Sequence, residues 1–89
     1  MQNLIDAKLL MQVFSKIEQQ GEAVSTPVGN GFALAGMQVA TSFDGYDLYF
    51  FADGVSLTLG FHQKYHIDAV NEAQIDAFIL RLKQINSRD

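Results

Sequence analysis

Residues 43–67, FDGYDLYFFADGVSLTLGFHQKYHI (Phe43–Ile67), hold three reverse-turn signals in succession, which set how the flanking segments pair. Asp44-Gly45 and Asp53-Gly54 reach positive φ at little cost, so each can close a two-residue type I′ hairpin turn. Pairing outward from the first sets Phe43 opposite Tyr46, Thr41 opposite Leu48, Val39 opposite Phe50 and Met37 opposite Ala52. Pairing outward from the second sets Ala52 opposite Val55, Phe50 opposite Leu57, Leu48 opposite Leu59 and Tyr46 opposite Phe61. Both registers bring the same residues of the shared strand to one apolar face. A slip of one residue would invert every side chain, so this agreement between independent turns argues for a meander.

Working outward, the spacing predicts strands over Phe32–Phe43, Tyr46–Ala52, Val55–Phe61 and Tyr65–Asp68, with a bulge or bend at Gly36 in the long first one. A three-residue loop, His62-Gln63-Lys64, pairs Phe61 with Tyr65 and Leu59 with Ile67 and keeps apolar residues together. Before the meander, Leu9, Leu10, Val13, Phe14 and Ile17 recur at helical spacing, Leu4 and Met11 widen the stripe, Asn3 can cap the start, and Gly21 offers a left-handed stop. Gly21–Gly31, with the sole proline Pro27, reads as a loop. After the meander, Asn71 and Gln74 form a capping box, and Ile75, Phe78, Ile79, Leu82 and Ile85 make one stripe that leaves Leu80 outside. The expected architecture is α+β: helix, four-stranded antiparallel β-meander, helix, with both helices packed on one face, in a single domain over residues 1–89.

Composition narrows the function. The chain has 89 residues, no cysteine and a formal net charge of −4, with a pI near 4.9. Thiolate chemistry and disulfides are therefore excluded, and the charge has the wrong sign for a phosphate backbone or an anionic membrane. No stretch approaches the ~20 apolar residues that span a bilayer. The start Met1-Gln2-Asn3-Leu4-Ile5-Asp6 lacks a basic region and a small-residue cleavage site, so the expectation is a cytoplasmic protein with no nucleic-acid or membrane partner.

The two sheet faces differ. Val39, Leu48, Phe50, Leu57, Leu59, Phe61 and Ile67 point to the helices, whereas Gln38, Asp47, Tyr49, Phe51, Ser56, Thr58, Gly60 and His66 point away. Tyr49 and Phe51 are large rings on the outer face, where neighbouring rings in water are unfavourable unless covered, although each can be tolerated singly. One reading folds the loop Gly21–Gly31 over them; the other makes them, with Gln38 and Thr58, an interface for a second copy or another protein. A polar alternative uses Asp47, His62 and His66, because the row Ser42–Asp47–Gly60–His66 leaves room above the glycine for an acid and an imidazole to approach. Those strands are two steps apart, about 9–10 Å, so a solvated histidine is the plainer account. A zinc site would need Asp47 or Asp68 as third ligand, and on a hairpin the His62/His66 spacing has no metal-binding meaning, so no metal and no cofactor are expected. The serines lack a nucleophile elbow, and Gly29-Asn30-Gly31 lacks a helix to cradle phosphate.

Phe43-Asp44-Gly45-Tyr46 and Phe61-His62-Gln63-Lys64-Tyr65 resemble motifs of a family of short bacterial proteins of unknown function, across nearly the whole chain. The resemblance implies a shared fold and a bacterial cytoplasmic origin, and it brings no catalytic residue. The leading expectation is a non-enzymatic interaction or regulatory module that self-associates. The alternative is a small ligand-binding or hydrolytic protein built on the Asp/His cluster.

Overall fold

The computed structural model describes residues 7–42, 45–60 and 64–87. It is α+β: helix α1 (Ala7–Gln20), strands β1 (Glu22–Thr26), β2 (Gly29–Leu34), β3 (Met37–Thr41), β4 (Leu48–Ala52), β5 (Val55–Leu59) and β6 (Tyr65–Asp68), then helix α2 (Glu72–Asn86). The strands form one antiparallel meander in the order β1-β2-β3-β4-β5-β6. The sheet thus has six strands where the sequence argues for four.

The additional strands have two sources. The expected long strand is divided by a tight turn at Ala35-Gly36, where both residues take the left-handed conformation (φ 53° and 85°) and Leu34 pairs with Met37. Gly36 is therefore the second residue of a hairpin turn and not a bulge. The expected loop Gly21–Gly31 is itself a hairpin, with Thr26 opposite Gly29. Thr26 Oγ1 donates to the Gly29 carbonyl at 2.6 Å and accepts from Val28 N–H at 3.3 Å, so a side chain supplies the turn's local bonds. Gly21 does close α1, its N–H donating to Ile17 O at 2.8 Å, but its φ is not positive. Glycine is needed there for close approach, since a Cβ would come within 2.3 Å of the Ala33 carbonyl oxygen.

The two Asp-Gly registers hold wherever the described residues test them. Thr41 faces Leu48 and Val39 faces Phe50; Leu48, Phe50 and Ala52 face Leu59, Leu57 and Val55. Asp53 and Gly54 have φ of 53° and 77°, as a type I′ turn requires. At the other turn Gly45 N–H donates to Ser42 O at 3.0 Å and Ser42 N–H to Asp47 O at 2.9 Å, so β4 starts at Leu48, and Tyr46 lies outside it, 62% exposed. Phe43, Asp44, Phe61, His62, Gln63 and the cap Asn3 lie outside the described residues. The last hairpin departs by two residues: Leu59 faces Tyr65 and Leu57 faces Ile67, with the connection closed by Gly60 N–H donating to Lys64 O at 2.9 Å. A shift of two preserves the faces, which is why the apolar pattern could not expose it.

Both helices lie on the inner face, α1 against β2 and β3, α2 against β5, and each against the other. Leu10, Val13, Phe14 and Ile17 of α1 and Phe78, Leu82 and Ile85 of α2 are buried with Val39, Phe50, Leu57 and Leu59, and the Phe14 ring meets Phe50 edge-on at 5.9 Å. Met11 and Leu80 are exposed. Asn71 caps α2 by accepting from Gln74 N–H at 3.0 Å; Gln74 Oε1 reaches Val70 N–H at 2.9 Å instead of returning to Asn71. Lys16 Nζ donates to Asn86 O at 2.7 Å and Asn86 Nδ2 to Gln12 Oε1 at 3.2 Å, which joins the helices at one end.

Leu57 is 1% exposed under the helices, so Leu57→Ala should cost about 2–5 kcal/mol in urea melts. A loss well under ~1 kcal/mol would place Leu57 outside the core. Ala35 is an exposed residue with a Cβ in the left-handed region, so Ala35→Asn should stabilise by about 0.5–1 kcal/mol; an unchanged urea midpoint would mean that the turn bears no such cost.

Candidate functional site

The sheet's outer face follows from the register. One row reads Gly31–Ala40–Tyr49–Thr58–His66 and the next Ala33–Gln38–Phe51–Ser56–Asp68. The four residues expected at an interface are neighbours: Gln38 faces Phe51, and Tyr49 faces Thr58. Tyr49 and Phe51, two apart on β4, hold their rings parallel, with centroids 6.4 Å apart and planes 10° off. Both rings are half-buried, as are Gln38 and Thr58. Cover by the Gly21–Gly31 segment is ruled out as a flap, since that segment is β1 and β2 of the same sheet.

The strands β2, β3, β4 and β5 contain no charged residue on either face. Within strands, charge is confined to the two edges, with Glu22 on β1 and Asp68, beside His66, on β6. Next to the rings, Ala33, Gly36, Gln38, Phe51 and Ser56 line a shallow depression of about 440 Å³ that opens on the outer face beside the Asp53-Gly54 turn.

The polar alternative is not assembled. His66 is exposed and faces Thr58, not Gly60, because of the two-residue shift in the last hairpin. Asp47 does lie over Gly60, its Oδ1 being 3.6 Å from where a Cβ on that glycine would stand. Acid and imidazole therefore belong to different rows. His62 lies outside the described residues, and among the described residues no group of three or more His, Asp or Glu could share a metal ion.

One charged constellation escapes sequence reasoning. Arg81 of α2 donates from Nε to Asp53 Oδ2 at 2.8 Å, from Nη2 to Asp53 Oδ1 at 3.0 Å, and from Nη1 to the Ala35 carbonyl at 2.6 Å. The fork spans both type I′ turns at one end of the sheet. Hydrogen bonding to Arg81 holds the Asp53 carboxyl below its ordinary range, and the same bond raises the guanidinium pKa. The sequence accounts for Asp53 by its turn alone, and nothing local to Arg81 announces a partner 28 residues away.

The fold and face describe a two-layer α+β domain with helices on one side of a meander and, on the other, a sheet face whose aromatic-bearing centre is uncharged. No described helix is long and apolar enough to cross a membrane. The family described as Protein of unknown function (DUF3081) matches residues 5–89, and the chain belongs to it. No curated protein and no solved structure matches.

The ion pair sets a pH dependence. Asp53 has a lowered folded pKa, so its contribution is fully present above the unfolded carboxylate pKa and lost as pH falls through the depressed value. The pair is partly open to solvent, and Asp53→Asn, which keeps the turn, should cost about 0.5–1 kcal/mol at neutral pH. In urea melts the gap to wild type should close as pH falls below the ordinary carboxylate range; a gap independent of pH would assign the effect to the turn instead of the charge.

Proposed function

We propose that this chain is a non-enzymatic protein-interaction module of the bacterial cytoplasm, and that it self-associates through the outer face of its sheet. The observation carrying this reading is the absence of charge from β2, β3, β4 and β5 around a half-buried Tyr49–Phe51 pair. A sheet face left to water normally alternates polar and charged residues outward, whereas an interface centre is depleted in charge and enriched in aromatics, with a polar rim. Gln38 and Thr58 supply polar groups beside the rings, and the carboxylates of Glu22 and Asp68 stand at the margins. Two copies can then meet without opposing charges at the centre. The lack of cysteine suits a reducing compartment. Hydrolytic use of Asp47 and His66 is disfavoured by their separate rows.

Sedimentation equilibrium at tens of micromolar should give twice the 9.9 kDa chain mass. Phe51→Lys, which puts a charge in the centre of the face, should return the protein to one chain mass. A wild-type chain that stays monomeric there would overturn self-association.

A further inference from the structure

The outer face has relief, with the Phe51 ring beside a depression. The depression runs from β2 to β5 at the Asp53-Gly54 end of the sheet, with Phe51 among its walls and Asp53 at its turn end. On the β2–β3 side of Phe51 the walls are Ala33, Gly36 and Gln38, the first two small, which leaves a hollow beside the ring, while Ser56 walls the β5 side. β3 and β4 are the middle pair of the six strands. A two-fold axis between two such sheets, parallel to the strands and centred between β3 and β4, places β4 of one copy over β3 of the other. Residues at the same height along the strands then oppose each other, and Gln38 and Phe51 are at the same height.

Building on the self-association reading, we infer that the occupant of the face is a second copy docked with each Phe51 ring in the partner's hollow, against the Ala33 and Gln38 walls of that hollow. The contact is isologous, so knob and hollow are each used twice. It lies near the axis, where the ~30° angle between packed sheets displaces facing residues least. The area is sufficient. Six strands about 4.8 Å apart and about 17 Å long give a flat face of roughly 450 Å², and side-chain relief adds to it. Two such faces in full overlap bury roughly 900 Å² as flat sheets, and side-chain relief brings the total to the ~1,000 Å² that a biological interface should clear. Helices then cover the outside of each sheet, and neither copy leaves its aromatic pair in water.

The test is a swap of shapes. Phe51→Ala removes the knob, and Ala33→Phe fills the hollow; each variant alone should dimerise at least about tenfold more weakly than wild type by sedimentation. Mixed in equal amounts, the two should recover a dimer. The intact ring of the filled variant enters the open hollow of the truncated one, and the truncated position 51 leaves space for the ring introduced at position 33. Native mass spectrometry distinguishes this mixed dimer from either homodimer by mass. Gln38→Trp, at the half-buried wall directly beneath the partner's ring, is the second filling variant should Ala33→Phe not fold. A folded filling variant that dimerises like wild type overturns the fit, as does a mixture that stays monomeric. If Phe51→Lys still dissociates the dimer in that case, the face is in use with another arrangement. A monomeric wild type would remove the underlying self-association as well.

Discussion

The structure depends on a strand that is apolar on both sides. β4 reads Leu48-Tyr49-Phe50-Phe51-Ala52, so alternation sends Phe50 to one face and Tyr49 and Phe51 to the other. Burying a large aromatic side chain is worth ~2–3 kcal/mol, a sizeable part of a small domain's net stability. The inner side is met by α1 and α2, with Phe50 fully buried against the edge of Phe14. Because β4 pairs with β3 on one side and β5 on the other, its alternation is copied into both neighbours, and the apolar stripes of the helices have one surface to cover.

Packing fixes α2 along its apolar stripe, and Arg81 adds a polar tie at one end. Its guanidinium bonds both Asp53 carboxylate oxygens and the Ala35 carbonyl, so three donors of one side chain engage two neighbouring hairpin turns. Gln74 lies against the same end of the sheet, where a Cβ on Gly54 would stand 2.8 Å from its Nε2. The clamp also accounts for an otherwise poor turn. Alanine is disfavoured at positive φ, yet Ala35 adopts φ 53°, and its carbonyl is held in that orientation by Arg81. At the opposite end of α2, Asn86 is tied to Lys16 and Gln12, so this helix is fixed at both ends by polar contacts and along its length by apolar ones.

The central meander is legible in the sequence because turn chemistry and apolar alternation give the same answer. Asp53-Gly54 fixes one register, and Leu48, Phe50, Leu57 and Leu59 agree with it from the strands. The β1–β2 hairpin carries neither signal. Glu22-Ala23-Val24-Ser25-Thr26 has little apolar content, and its turn over Pro27-Val28 relies on the Thr26 hydroxyl. Ala35-Gly36 is hidden because alanine does not ordinarily open a type I′ turn. The shift in the last hairpin is invisible for another reason: faces repeat every two residues, so only the loop's own bond from Gly60 to Lys64 decides the register. The outer aromatics are legible from alternation alone, while the hollow beside them needs the turn at Gly36 and the pairing of Ala33 with Gln38. The Arg81 clamp joins residues distant in sequence, and neither turn chemistry nor alternation announces it.

Charge distribution links the edges of this sheet to its face. An open meander has two edge strands whose free backbone groups invite pairing with another chain, and charged side chains discourage it. Here the edges are where strand charge is found: Glu22 on β1, Asp68 on β6 with His66 beside it, and β6 is only four residues long. The centre has the opposite character, uncharged throughout and carrying its two rings in parallel. A monomer facing water would gain solubility from lysine or glutamate at Gln38, Ser56 or Thr58, and β-structure would not forbid them. The same arrangement that discourages extension of the sheet sideways leaves the centre of its broad face free of charge, and that centre is the surface the proposed self-association uses.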